Sequence, residues 1–238
     1  MSRDDLSVEG LARYLHLSPQ QVARLADRGR IPGRKVAGQW RFSRDAIHHW
    51  LEQRIGLRDE EGLMEVEGML RASAEGLPER SLRIAELLVP ERIAIPFSAR
   101  TRNSVFTSIV ELAAQGGLIW DPEKMVEAIR VREEMYPTAL ENGVALLHPR
   151  RPMPAILAEP LLALGVSPCG IPFGGNRGAL TDVFFLIASI DDRQHLRTLA
   201  RLSRLLSAPG FLDQLRQARD APSAHELIRA TEAACVDD

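Results

Sequence analysis

Cysteine is scarce in this chain, which contains only Cys169 and Cys235 among its 238 residues. The two are far apart in the sequence and lack the short spacing of thiolate metal ligands. We therefore expect neither a zinc site nor a disulfide framework, and both thiols are expected to be reduced.

Long apolar runs are also missing. No stretch approaches the roughly 18 to 20 consecutive apolar residues that a membrane helix needs. The first five residues, Met-Ser-Arg-Asp-Asp, are not followed by the apolar core of a signal peptide. The sequence therefore predicts a cytoplasmic protein with no membrane insertion. Lysine is rare as well, with Lys35 and Lys124 the only two, so arginine carries nearly all the positive charge.

Positive charge is concentrated near the N terminus, although the whole chain has a formal net charge of −2. Residues 1–55 contain ten Arg or Lys and six Asp or Glu, a local balance of +4. Between Arg30 and Arg44 there are five basic residues and no acidic one. Such a cluster is typical of a nucleic-acid contact, because neutralising phosphates releases counterions. A solvated charged face is the alternative.

Local patterns in the same segment predict two short helices, a hairpin and a third helix. Ser7 can cap a helix to about Leu15, and Ser18-Pro19-Gln20-Gln21 has the composition of a capping box with proline at the first helical position. Residues 33–42 alternate like a hairpin turning at Gly38-Gln39, with Trp40 and Phe42 on one face. We call this hairpin the wing. Ser43 is expected to cap a helix that continues to Ile55.

The segment from Leu6 to Leu51 resembles the excisionase/MerR-type winged helix-turn-helix domains. The resemblance rests on Tyr14-Leu15-His16-Leu17-Ser18, Gly29-Arg30-Ile31-Pro32 and Gly38-Gln39-Trp40-Arg41-Phe42. It implies double-stranded DNA as a partner, with the helix from Ser18 to Arg28 in the major groove. The residues predicted to meet base edges are Gln20, Gln21 and Arg24, and those predicted to hold phosphates are Arg28, Arg34, Lys35 and Arg41. A protein-docking use of the same fold is the alternative.

Residues 56–80 are interpreted as a partly helical linker. Its acidic stretch carries an apolar stripe of Leu63, Val66 and Leu70, which Gly76-Leu77-Pro78 ends. The stripe can serve homodimerisation or pack against the C-terminal domain, and the sequence leaves both open.

His148 is the most informative residue of the remaining chain, because it directly follows the short apolar run Gly143 to Leu147. That run is typical of a buried strand, so His148 is expected where a strand leaves the core. A phosphoryl acceptor needs an imidazole nitrogen exposed for in-line attack and positive charge nearby. Arg132, Arg150 and Arg151 can supply this charge.

The stretch from Arg132 to His148 resembles the active-site segment of the fructose/mannitol-type enzyme IIA domains of the bacterial phosphotransferase system, including their nitrogen-regulatory branch. By this resemblance His148 is the phosphorylated histidine, and its acceptor atom is Nε2. Arg132 and His195, within Asp192-Arg193-Gln194-His195, match the residues that help form the site. The resemblance also implies a phosphohistidine carrier protein, HPr-like, as donor and no metal or organic cofactor.

Two residues depart from the family pattern, which places proline before the histidine and a small residue after it. Here Leu147 precedes His148, and Pro149 follows it and biases the histidine backbone toward extended geometry. The hypothesis is a regulator whose DNA binding responds to phosphorylation of His148. Two alternatives remain: a phosphoryl carrier to a permease-associated IIB component, and a degenerate interaction module without phosphorylation.

The predicted organisation is therefore an α+β winged helix-turn-helix domain over residues 1–55, the linker, and an α/β enzyme IIA-like domain over residues 81–236. The second domain is expected to contain a mixed sheet with helices on both faces. Its predicted strands are 144–147, 155–161 and 183–188, and its predicted helices include 103–114, 121–135 and the one that carries His195.

Overall fold

The computed structural model describes residues 5–15, 17–43, 46–47, 50, 83–135, 137–174 and 179–236. The chain divides into two compact units, Met1–Arg80 and Ser81–Asp238. The proposed linker over residues 56–80, with its apolar stripe, lies outside the described residues, so this assignment stays a prediction.

The N-terminal unit consists of two helices and a small sheet. Its elements are β1 (Asp5–Leu6), α1 (Val8–Leu15), α2 (Pro19–Asp27), β2 (Arg34–Val36) and β3 (Gln39–Ser43). The sheet order is β1-β3-β2, and both pairs are antiparallel. The predicted capping box is confirmed: the Gln21 backbone N–H donates to Ser18 Oγ at 3.2 Å, and the Ser18 N–H donates to Gln21 Oε1 at 2.8 Å.

A small apolar core joins these elements. Leu11 and Leu15 of α1 and Val22 and Ala26 of α2 are buried at helical spacing. The wing contributes Phe42, which is fully buried and stacks on Trp40 with ring centroids 6.1 Å apart. The predicted sharing of one face by these two aromatic residues is thus confirmed.

The turn of the wing lies one residue earlier than predicted. Val36 pairs with Gln39, which leaves Ala37 and Gly38 as the two turn residues. Both have positive φ, 50° and 77°, as a two-residue hairpin turn of the I′ type requires at its central positions. Gln39 belongs to β3. Of the predicted third helix only residues 46, 47 and 50 are described, all helical, and its extension to Ile55 lies outside the described residues.

The C-terminal unit is built from helices and a four-stranded sheet. In chain order its elements are α3 (Ile84–Leu87), a 3₁₀ turn (Pro90–Arg92), β4 (Ile93–Ala94), α4 (Arg102–Ala114), α5 (Pro122–Met135), β5 (Val144–Leu147), β6 (Leu161–Pro172), β7 (Leu180–Ala188), α6 (Asp192–Ser207), α7 (Phe211–Gln217) and α8 (Ala221–Val236). No helix within the described residues is long and apolar enough to span a membrane.

The sheet is mixed, in the order β4-β6-β7-β5. The outer pairs β4·β6 and β5·β7 are parallel, and the central pair β6·β7 is antiparallel. On one face, Ala145, Leu147 and Phe184 join a core with residues of α4 and α5. The alternate residues Val144 and Val183 are also fully buried, so both faces are covered. The predicted mixed sheet flanked by helices is confirmed.

One predicted strand is wrong. Residues 155–160 form turns and a single bridge between Leu157 and Ile119, and β6 begins only at Leu161. Pro154 and Pro160 bound this apolar segment, and proline cannot donate to a strand ladder. Ile156 and Leu157 are nevertheless buried, which accounts for the apolar pattern.

Candidate functional site

His148 directly follows β5, at the end of the sheet where β7 also ends. The two strands are parallel with Leu147 opposite Leu186, so their carboxyl ends meet at one edge. Successive side chains of a strand alternate between faces. Leu147 enters the core against α4 and α5, and the alternation therefore places His148 on the other face, together with Leu146.

His195 approaches that face from α6. Asp191 caps this helix by accepting a hydrogen bond from the backbone N–H of Gln194 at 2.8 Å. His195 follows in the first turn and faces inward. Its ring centroid lies 4.8 Å from that of His148, with 53° between the ring planes. Two histidines that are 47 positions apart in the sequence are thus in ring contact.

A backbone carbonyl fixes the tautomer of His148. Its Nδ1 lies 2.8 Å from the carbonyl oxygen of Leu146. A carbonyl oxygen can only accept, so Nδ1 carries the hydrogen and donates it. In the neutral ring the lone pair is then on Nε2.

The site is more closed than the sequence suggested. The exposed fraction is 2% for His148 and 3% for His195, and Pro149 is buried as well. The expectation of an imidazole nitrogen exposed to an incoming donor is therefore wrong for this conformation. Arg150 and Arg151, which come next in the chain, are exposed.

Arg132 lies in the last turn of α5 and is 6% exposed. Burying a guanidinium is costly unless anionic or polar groups surround it. Its proximity to the two histidine rings stays a prediction, whereas the ring contact between His148 and His195 is part of the structure.

The neighbouring Glu133 is a residue that sequence reasoning missed. Its carboxylate accepts hydrogen bonds from the backbone N–H and the hydroxyl of Thr138, and Arg102 Nη2 lies 3.4 Å from Oε2. The carbonyl of Thr138 accepts from the N–H of Leu146 at 3.4 Å. A signal was available, because Met125, Ile129 and Glu133 share one helix face at i+4 spacing.

In the N-terminal unit, the side chains predicted to contact DNA line one helix and the wing. Gln20, Gln21, Arg24 and Arg28 lie on or directly after α2 and are exposed. On the wing, Arg34 and Lys35 are exposed and Arg41 is half-buried.

Several of these residues already have partners within the protein. Gln21 uses its side-chain oxygen in the capping box. Arg34 pairs with Asp5 at 2.8 Å, Lys35 lies 3.7 Å from Asp27, and Arg41 donates to Gln39 Oε1 at 3.1 Å. Exposed pairs of this kind are weak and can be exchanged for phosphate contacts.

Asp27 is a second residue that the sequence did not single out. Its Oδ1 accepts a hydrogen bond from Trp40 Nε1 at 3.0 Å, while Lys35 Nζ lies 5.0 Å from the Trp40 ring centroid. This carboxylate therefore joins the end of α2 to both strands of the wing.

Two known protein families match separate parts of the chain. Residues 86–231 match the family described as "Phosphoenolpyruvate-dependent sugar phosphotransferase system, EIIA 2". Residues 6–55 match the family described as "Helix-turn-helix domain".

Relatives and solved structures agree with the first match. The fructose-specific EIIABC component of Bacillus subtilis is 27% identical over 62% of this chain, and the match spans 23% of that protein. A nitrogen regulatory protein of Bradyrhizobium diazoefficiens is 32% identical over 61% of this chain and 94% of its own length. The crystal structure of nitrogen regulatory protein IIA-Ntr from Neisseria meningitidis has a TM-score of 0.54 at 18% identity, covering 61% of this chain and 98% of that one. The chain therefore belongs to the EIIA 2 family of the phosphoenolpyruvate-dependent sugar phosphotransferase system, and it carries a helix-turn-helix domain N-terminal to the family's domain.

Proposed function

We propose that the protein is a phosphotransferase-linked regulator that accepts a phosphoryl group on His148 and binds double-stranded DNA through its N-terminal unit. The observation that carries the proposal is the contact between the rings of His148 and His195. In this pair, the Nδ1–H of His148 donates a hydrogen bond to the Leu146 carbonyl. Phosphorylation is proposed to bias DNA binding, so that transcription responds to the state of the phosphotransferase system.

The tautomer of His148 supports Nε2 as the nucleophile. The donor is a phosphohistidine on a carrier protein, HPr-like. Nε2 forms the new N–P bond as the donor's N–P bond breaks, and the donor imidazole keeps that electron pair. The ring of His148 becomes more positive during transfer, and the Leu146 carbonyl stabilises it by accepting the hydrogen bond from Nδ1–H. Arg132 and His195 are proposed to stabilise the phosphoryl oxygens.

A label-transfer experiment tests whether His148 accepts a phosphoryl group. The full chain is incubated with phosphorylated carrier protein, beside His148→Ala, His195→Ala and Arg132→Lys. We expect wild type to be labelled, His148→Ala to remain unlabelled, and the other two to be labelled more slowly. His225→Ala is the matched control, because His225 contacts the Ala85 carbonyl in the same unit and has no proposed role in transfer. Wild type without label, or a labelled His148→Ala, would overturn the proposal.

The DNA half rests on the arrangement of exposed side chains along α2 and the wing. Gln20, Gln21 and Arg24 are proposed to meet base edges, and Arg28, Arg34, Lys35 and Arg41 to hold phosphates. In a mobility-shift experiment at several salt concentrations, Lys35→Ala should weaken binding to all sequences and reduce the salt slope by about one. Arg24→Ala should reduce discrimination between sequences. Unchanged affinity in both variants would contradict this interface.

A homodimer that reads two half-sites is part of this proposal.

The burial of His148 favours a second candidate, in which the C-terminal unit is an interaction module without phosphoryl transfer. Leu147 and Pro149, the departures from the family pattern, point the same way. Absence of label on wild type, with DNA binding retained, is the result that selects this candidate. A role as phosphoryl carrier to a permease-associated IIB component is tested by offering the labelled protein to such a component, and the DNA-binding unit argues against it.

A further inference from the structure

We propose that Glu133 is a positioning residue for phosphoryl acceptance, acting on His148 through Thr138 and Leu146. This inference rests on the proposed function of His148. Glu133 is not expected to touch the phosphoryl group itself. It holds the chain segment that borders β5, and β5 provides the carbonyl that orients the acceptor ring.

The starting point is a buried carboxylate. The Glu133 side chain is fully buried, and a buried charge is costly unless it is paired and hydrogen-bonded. Arg102 supplies the positive charge, with Nη2 donating to the Glu133 carbonyl at 2.8 Å and lying 3.4 Å from Oε2. Arg102 is itself held over the rings of Phe106 and Phe173, at 5.7 and 5.5 Å. One side of the carboxylate is therefore compensated by a guanidinium whose position is fixed by packing.

The other side of the carboxylate holds Thr138. The Thr138 N–H lies 3.1 Å from Oε1 and 3.3 Å from Oε2, and its hydroxyl also donates to Oε1. Three donor contacts on one carboxylate define both the backbone and the side chain of Thr138. The segment that borders β5 is thereby fixed at Thr138.

Thr138 in turn borders the strand that leads to His148. β5 is paired with β7 along one edge only, and the segment after Thr138 lies along the other edge. The Leu146 N–H donates to the Thr138 carbonyl at 3.4 Å, and Ala139 bridges Ala145. Without this neighbour β5 would be an open edge strand, with fewer constraints on its backbone.

The Leu146 carbonyl accepts a hydrogen bond from Nδ1–H of His148, with 2.8 Å between the nitrogen and the oxygen. The N–H of Leu146 is held by Thr138, and its carbonyl holds the acceptor ring. A shift of β5 would therefore turn the ring and relax the preference for the tautomer that carries its hydrogen on Nδ1. Small misplacements of a reacting group reduce rates strongly, so the effect should be visible in transfer rather than in folding alone.

The experiment uses Glu133→Gln and the pair Thr138→Val and Thr138→Ser in the full chain. Glu133→Gln removes the charge at nearly constant shape. Thr138→Val removes the hydroxyl, whereas Thr138→Ser keeps it. We expect transfer from the phosphorylated carrier protein to slow on the order of tenfold or more in Glu133→Gln and Thr138→Val. In Thr138→Ser the rate should stay near that of wild type. Glu127→Gln is the matched control, because Glu127 lies on the same helix in an exposed pair with Arg130 at 2.7 Å.

A second measurement separates positioning from simple stabilisation. Nitrogen-15 NMR of the histidine rings, assigned with His148→Ala, reports which nitrogen of His148 carries the hydrogen. We expect a single Nδ1–H tautomer in wild type and a mixture in Glu133→Gln. Wild-type rates and an unchanged tautomer in folded Glu133→Gln and Thr138→Val would overturn the inference while leaving the proposed function intact. Wild type that takes no label would instead remove the proposed function.

Discussion

Arg216 and Asp182 form a two-pronged ion pair, with Nε 2.8 Å from Oδ2 and Nη2 2.9 Å from Oδ1. Nη2 also donates to the carbonyl of Asn142 at 2.6 Å, in the turn that precedes β5. The hydrogen bond to Asp182 raises the pKa of Arg216 above its ordinary value. One guanidinium therefore ties α7 to the beginning of both parallel strands that end at the histidine site.

We expect Arg216→Leu to lower the free energy of unfolding by about 2 kcal/mol, because charge-assisted hydrogen bonds are lost and Asp182 loses its partner. Urea unfolding followed by circular dichroism measures this. Arg229→Leu is the control, since Arg229 forms an exposed pair with Glu226 and should change stability little. If the two variants lose equal free energy of unfolding, the contacts of Arg216 with Asp182 and Asn142 stabilise the protein no more than an exposed ion pair does.

Asp27→Asn is expected to tighten DNA binding. Asparagine can still accept from Trp40 Nε1, so the wing stays attached to α2, while Lys35 is released from its acidic neighbour. The gain should appear at every salt concentration with little change in the salt slope, because Lys35 is proposed to hold phosphate in both proteins. Fluorescence anisotropy with labelled DNA at several salt concentrations measures this. Asp27→Ala, which also loses the Trp40 contact, should gain less than Asp27→Asn, and a loss of affinity in Asp27→Asn would refute the argument.

Glu232→Gln is expected to destabilise the C-terminal unit by about 1 to 2 kcal/mol, because a carboxylate that accepts backbone N–H groups is replaced by an amide. The Glu232 carboxylate accepts from the N–H groups of Ile84 at 2.6 Å and Ala85 at 3.1 Å, at the beginning of α3. Thermal unfolding compares it with Glu226→Gln, an exposed acid on the same helix. We expect a lower Tm only for Glu232→Gln, and equal Tm values for both variants would contradict this role.

Asp220 gives a prediction on pH. Hydrogen bonds from Ser223 hold the pKa of the Asp220 carboxyl below its ordinary value of 3.8. A depressed pKa contributes stability that is present above the unfolded value and disappears as the pH falls through the folded value. The loss of stability in Asp220→Ala should therefore be full at neutral pH and shrink below about pH 3.8. Urea midpoints of wild type and Asp220→Ala, measured at neutral pH and below about pH 3.8, test this. A difference between the two proteins that does not change with pH would contradict the prediction.

Features encoded by neighbouring residues were predictable from the sequence. The capping box of Ser18 and Gln21 needs only residues three positions apart, and β5 follows from its four apolar residues. The strand predicted at 155–161 failed because burial of Ile156 and Leu157 mimics a strand, while the flanking prolines decide the backbone. The wing turn was displaced because its register depends on the pairing of Val36 with Gln39.

Contacts between distant residues were less accessible. The hydrogen bond from the Ile84 N–H to the Glu232 carboxylate spans 148 positions, and no local sequence pattern predicts it. The residues of the histidine pair were nominated by family resemblance, but the carbonyl of Leu146 is a backbone atom and leaves no signature in the sequence. The closed state of His148 was missed for a similar reason, because exposure depends on how the chain packs beyond the strand end.

That closed state has a consequence for timing. Under the proposed function, a donor reacts only with those molecules in which the His148 ring is uncovered, so the observed rate is the intrinsic rate multiplied by the open fraction. Any ligand or partner that favours the uncovered form would speed transfer without touching the chemistry. Under the proposed function, the open fraction around His148 and the rate of bond making at Nε2 together set how quickly the protein responds to a change in its donor.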